Sequence, residues 1–168
     1  MGDISTQTEI ADKQGIKNTP VILTVFFTLI TAGIYYPCWF LTRRCQINKL
    51  HSREKLSNGL FILGIVIYSF SLILACVSGM LEGIQEVNGT TEFLKIAEGL
   101  GSVDKFLTLF IGIIMIMQSF KVKRILQDHY DDYLRRNVSF SGLATFFFGI
   151  YYLQYKINKF QKYERELK

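Results

Sequence analysis

Two prolines, one tryptophan, two histidines and three cysteines are all that these types contribute to 168 residues. The cysteines, Cys38, Cys45 and Cys76, are odd in number and form no Cys-x-x-Cys pair, which argues against a disulfide framework or a zinc site. They read as small apolar packing residues; the alternative, for Cys38 and Cys45 seven apart on one helix face, is a redox pair. No nucleophile sits beside a base, and neither paired carboxylates nor a phosphate-cradling glycine loop is recognisable. The chain is therefore expected not to be an enzyme and to need no cofactor. His129 and Asp132, three apart, are within reach of a shared metal or proton, but a solvated acidic patch pairing with Arg135 and Arg136 is the preferred reading.

Charge is the most telling absence, because it is local. Between Lys55 and Glu82 there is none, and 49% of the chain is hydrophobic, gathered in long blocks. That is a membrane composition. "LSNGLFILGIVIYSFSLILACVSGML" exceeds the roughly 20 residues that cross a bilayer as a helix. "FLTLFIGIIMIMQSF" covers about 22 Å at 1.5 Å per residue, and Val103, Val122 and snorkelling lysines extend it to a crossing. No acidic or basic residue is expected inside any apolar core.

The outer apolar segments are interrupted. "TPVILTVFFTLITAGIYYPCWFLT" holds Gly33 and Pro37 near its middle, and proline removes a helix hydrogen bond, so a kink or reversal is expected between Thr31 and Pro37. "NVSFSGLATFFFGIYYLQY" holds Gly142 and Gly149. Both segments carry Gly-Ile-Tyr-Tyr. The step is expected to mark a break at membrane depth followed by tyrosines at the water interface, with both breaks packed against the central spans. "QINKL" at 46–50 echoes "KINKF" at 156–160, yet the spacing to the preceding glycine differs by six residues, which leaves an internal repeat and chance similarity both open.

Basic residues concentrate on cytoplasmic flanks. Arg43, Arg44, Lys49, Arg53 and Lys55 follow segment one, and Lys121, Lys123, Arg124, Arg135 and Arg136 follow segment three. The stretch between segments two and three is acidic, with Glu82, Glu86, Glu92, Glu98 and Asp104, and is expected outside. Lys156, Lys159, Lys162, Arg165 and Lys168 join the cytoplasmic set only if segment four enters and leaves on one side. A half-inserted or interfacial hairpin is the expectation there; segment one is either half-inserted or a full crossing.

The expected fold class is thus an all-α membrane protein. Two transmembrane helices are flanked by two glycine-broken apolar segments, re-entrant or full crossings, giving up to four spans, with amphipathic cytoplasmic helices added. Residues 1–18 form a polar mobile tail and 19–168 one membrane domain, with an external acidic loop at 82–104 and a basic amphipathic helix at 150–168. In that helix Ile150, Leu153, Ile157, Phe160 and Leu167 recur at helical spacing, and Lys156, Lys159 and Lys162 are the candidate contacts to anionic lipid of the cytoplasmic leaflet. Asn88-Gly89-Thr90 fits the glycosylation acceptor pattern and is read as unoccupied.

Thr31, Gly33, Ile34, Tyr35 and Trp39 after Pro20 and an aliphatic run, together with the closing Tyr152, Gln154, Lys156, Ile157 and Asn158, resemble the pattern of domain-of-unknown-function family 4234, small prokaryotic membrane proteins. Cys38 stands where that pattern usually has an aromatic, and Pro37 is a local variation. The resemblance implies a multi-pass protein of the bacterial or archaeal cell membrane and implies no reaction. The candidate functional positions are Thr31, Gly33, Tyr35, Pro37, Trp39, Gly149, Tyr152, Gln154 and Asn158. The leading expectation is a noncatalytic membrane protein organising lipid, other membrane proteins or copies of itself through basic helices. The alternative is a small transporter or channel subunit with its site at the helix breaks. Membrane orientation accounts for the net charge of +5, so no nucleic-acid partner is expected.

Overall fold

A computed structural model describes residues 16, 18–88, 92–133 and 138–166 of the chain. Every element among them is helical: α1 (Val21–Ile30), α2 (Tyr35–Asn48), α3 (Gly59–Asn88), α4 (Glu92–Asp128) with a π-helical turn at His129–Tyr133, and α5 (Gly142–Glu166).

The long helices α3 and α4 run antiparallel as the central pair. Each contains a stretch apolar and long enough to cross a membrane, Gly59–Ile84 and Lys95–Asp131, and only 17% and 11% of their most apolar windows are buried within the protein. A helix from the core of a water-soluble domain would hide that surface; these two present it outward. The stretch expected as an acidic loop, 82–104, is instead helical wherever it is described, over 82–88 and 92–104. Good helix formers such as Leu81, Glu82, Ala97 and Glu98 outweigh the scattered glycines there. The sequon's Gly89 and Thr90 lie outside the described residues.

Segment one reverses. Ala32 (φ 47°) and Gly33 (φ 91°) take successive left-handed conformations, which turn the chain between α1 and α2. The legs return side by side: the Arg43 guanidinium donates to the Thr19 hydroxyl at 2.7 Å, across 24 residues of sequence. Pro37 is not the break. It sits in the first turn of α2, where a helix has no partner for its N–H, and Gly33 O accepts from Tyr36 N at 2.9 Å instead.

Segment four reverses too, at Gly149 (φ 43°, ψ −118°), which divides α5 into legs at 142–148 and 150–166. Ser141 N donates to the Tyr152 hydroxyl at 3.0 Å and the Lys156 ammonium to Ser139 O at 2.9 Å, so the base of this hairpin is closed on itself. Both hairpins open at the same end of the α3–α4 pair. Thr19 O accepts from Asn158 Nδ2 at 2.8 Å. Arg124 of α4 pairs with Glu54 of the α2–α3 connection at that end as well.

The core lies where the hairpin legs meet α3 and α4. Trp39, Phe40, Ile47, Phe61, Ile111, Ile125, Leu126, Ile150 and Leu153 are fully buried, with the Phe40 and Phe61 rings stacked at 5.1 Å. Ile157 and Phe160 join them, so the apolar face of the C-terminal helix is turned inward. The sequence left that stripe free to lie on lipid or to pack on the protein, and the protein itself covers it. Ile16 is also buried, and Gln161 Nε2 donates to its carbonyl, so at least this residue of the stretch read as tail is packed.

Candidate functional site

The sequence-derived positions fall into two groups that the fold separates by depth. The shallower group is a polar chain. The Trp39 indole N–H donates to Gln154 Oε1 at 2.9 Å, Gln154 Nε2 donates to Asn158 Oδ1 at 2.6 Å, and Asn158 Nδ2 reaches Thr19 O. Trp39 and Gln154 are fully buried, so each link replaces a hydrogen bond that water supplied in the unfolded chain. Arg43 closes the ring: its guanidinium lies 4.8 Å over the Trp39 ring and holds the Thr19 hydroxyl. Arg43 is 3% exposed, and its Nε has no hydrogen-bond partner among the described residues. Burial lowers its pKa from the usual value, and the neighbouring Tyr35 works in the opposite direction. Sequence reasoning placed Arg43 in a basic loop; its position one helical turn beyond Trp39 on α2 was the signal that it shares that face.

The deeper group is the pair of breaks, and they interlock. The Tyr36 hydroxyl packs on Gly149, where an added Cβ would lie 2.0 Å away, and it hydrogen-bonds Ser119 Oγ of α4 at 3.1 Å. Ser119 spends its own proton on Met115 O at 3.0 Å, so Tyr36 is the donor, and the Ile150 N–H meets the same hydroxyl. Gly33 packs on the Tyr68 ring of α3, where a Cβ would lie at 3.3 Å. Both breaks thus pack against the central helices as the sequence suggested. The tyrosines differ from expectation: Tyr36 serves the tips instead of a water interface, while Tyr152 serves the base. Thr31 pins the first turn by donating to Phe27 O at 2.7 Å and accepting from Tyr35 N at 2.9 Å. A cleft of about 230 Å³ lies at the tips, lined by Tyr36, Tyr68, Tyr151, Met115 and Phe146 to Phe148.

The two similar pentapeptides do different work. Ile47 and Ile157 are both buried, but Asn48 brackets Leu56 through both its amide groups, at 3.0 and 2.7 Å, whereas Asn158 extends the Gln154 chain. Of the three candidate lipid-contact lysines, Lys156 is occupied within its own hairpin, near the Phe140, Tyr152 and Phe160 rings. Lys159 and Lys162 are exposed. All three cysteines are free thiols. His129 stacks on His51 at 5.9 Å; the Asp132 side chain lies outside the description.

Asp104, read from the sequence as part of a loop, lies instead within α4, two residues before the uncharged run that begins at Phe106. The Ser71 hydroxyl donates to the Asp104 carboxylate and accepts from Thr108 at 3.0 Å. Ser71 is about 18 Å along α3 from Gly59, and α3 stays apolar for ten residues beyond it. The missed signal was helical continuation upstream of Phe106. Ser71→Ala should lower stability by about 1 kcal/mol, the usual scale of an interhelical bond between apolar helices. Thermal unfolding in detergent checks this: the loss should shrink in an Asp104→Leu background, and an equal loss there would mean that the bond contributes nothing.

Two long, outward-facing apolar helices and two short hairpins sharing one basic end define an all-α architecture in which polar side chains hold the hairpins to the helix pair. The family described as Domain of unknown function (DUF4234) matches residues 19–128, and the chain belongs to that family. The match spans α1 to α4 and includes Trp39 and Arg43, while Gln154 and Asn158 lie beyond it. No curated protein and no solved structure shows significant similarity to the chain.

Proposed function

We propose that the chain is a two-pass protein of the cell membrane whose hairpins enter only the leaflet on its basic, cytoplasmic side, and that it acts without catalysis by organising lipid there. The observation that carries this reading is the depth of the hairpins. Gly33 meets Tyr68, nine residues into α3, or about 14 Å along it, and the seven-residue descending leg of the second hairpin reaches about 10 Å. Both fall short of half of a roughly 30 Å hydrocarbon core. Six helical rods therefore occupy one leaflet and two the other.

The hairpins' outer faces suit that placement. Ile22, Leu29, Leu143 and Phe147 are each at least 73% exposed, and apolar surface of this kind is stable only against lipid or another protein. A body wider in one leaflet expands that leaflet and favours bending toward it. Reconstitution into large unilamellar vesicles at rising protein-to-lipid ratio, imaged by electron cryomicroscopy, should yield smaller vesicles or tubes; unchanged diameters would sink the wedge. Paired reporters fused at each end should both report the cytoplasm, and an external C-terminus would remove the half-inserted second hairpin.

The second reading, a small transporter, is favoured by the three tyrosines and Gly149 around the cleft at the tips. Tyr68→Phe that folds normally yet abolishes solute flux in proteoliposomes would displace the wedge reading in its favour.

A further inference from the structure

At the basic end, the connection between α2 and α3 folds back against the end of α4 and leaves an open cleft of about 720 Å³, lined by Lys49, His51, Ser52, Arg53, Lys55 and Asp128. The connection is braced internally. Asn48 and the Arg44 guanidinium hold Leu56, which is buried, and the Lys55 ammonium donates to Asn48 O at 2.7 Å and Leu50 O at 3.0 Å. A loop so fixed does not need ordering when something binds, which lowers the cost of binding.

Its charge is left one-sided. Glu54, the only acid of the connection, is turned away to Arg124, which grips both its carboxylate oxygens at 2.8 and 3.3 Å. Asp128 accepts from the Ser52 hydroxyl at 2.7 Å. Lys49 and Arg53 are exposed and have no hydrogen bond or ion pair from their side chains among the described residues. Three cations against one carboxylate, with an imidazole and a hydroxyl beside them, match the demands of a phosphate group, which takes a guanidinium through paired N–H bonds and an ammonium as a point charge.

We propose that this cleft binds a phosphate-bearing anion, with Lys49 and Arg53 as its principal contacts. Two sources present that chemistry at this place, the headgroup of an anionic phospholipid and free phosphate or a soluble phosphate ester. The lipid source rests on the membrane reading above; the soluble source does not.

The test uses the full chain in detergent, its Lys49→Gln/Arg53→Gln variant, and a Lys159→Gln/Lys162→Gln control. Inorganic phosphate is titrated against thermal stability, and retention of phosphatidylglycerol over phosphatidylcholine is read by native mass spectrometry. Either signal, weakened by about tenfold or more in the cleft variant and kept in the tail control, supports the site. Phosphate stabilisation identifies the soluble source, and lipid retention without it identifies the headgroup. Equal responses of parent and cleft variant, or no response of either to both probes, overturn the proposal. Because the detergent assay is blind to sidedness, a reporter result against the two-pass topology leaves it interpretable.

Discussion

Gly149→Ala is expected to lower the melting temperature of the detergent-solubilised chain by roughly 6–12 °C. At φ 43° and ψ −118° the backbone occupies a region that L side chains rarely adopt, a strain of about 1–3 kcal/mol. A methyl group there also lands on the Tyr36 hydroxyl, with the ring carbon behind it at 3.1 Å. Tyr36 must then leave Ser119 and the Ile150 N–H, and displaced packing adds a further ~1–3 kcal/mol. A total of about 3 kcal/mol converts to the stated shift for a chain of this length. Tyr36→Phe in the same chain should recover part of it, because removing the hydroxyl removes the closest contact. Gly33→Ala should cost less: its φ of 91° is strained too, but the Tyr68 ring at 3.3 Å needs to move only a few tenths of an ångström. Gly79→Ala, with nothing within 4 Å, is the neutral control. A Gly149→Ala chain melting with its parent would show that the two Gly-Ile-Tyr-Tyr steps do not interlock.

Gln154→Leu should be the second most costly change, at about 2–4 kcal/mol. The side chain is fully buried and makes one bond in each direction along the polar chain, so its removal strands both the Trp39 indole N–H and Asn158 Oδ1. The indole N–H is fully buried and costs about 1–3 kcal/mol when stranded, while the half-buried Asn158 can turn toward water and adds about 1 kcal/mol. Trp39 is the only tryptophan, so its fluorescence reports this site alone. Emission should shift to the blue as the indole loses its polar partner. The double change Trp39→Phe/Gln154→Leu should cost less than the sum of the single changes, because Trp39→Phe removes the donor that Gln154→Leu leaves without an acceptor. Strict additivity with an unmoved emission maximum would show that the bond has no energetic weight. These expectations concern a link between α2 and α5, and so bear directly on how the second hairpin is held to the first.

The all-α class, the two long apolar helices and the position of a break in each outer segment were legible from residue type alone, whereas the sequence left open whether segment one kinks or reverses. A run of uncharged residues longer than a bilayer crossing has few alternatives, and Gly33 and Gly149 sit where the apolar blocks divide. Basic clusters after segments one, three and four favoured a return of segment four over a full crossing, and its base closes between Ser141 and Tyr152. Those are properties of local sequence and of charge summed over short loops.

What each break touches was decided only by the tertiary structure. That Tyr36 of the first step fills the space over Gly149 of the second, or that Trp39 finds Gln154 across 115 residues, depends on how the hairpins lean on α3 and α4. The same holds for the C-terminal helix. Its amphipathic pattern shows that one face is to be covered, and periodicity is blind to whether lipid or protein covers it; the core around Trp39 and Leu126 takes Ile150, Leu153 and Ile157. Asp104 read as loop because charge and glycine interrupt the apolar run, yet α4 continues through it and presents the carboxylate to Ser71. Sequence fixes which groups must be covered or paired; long-range packing chooses their partners, because residues far apart in the chain meet only once the helices are placed.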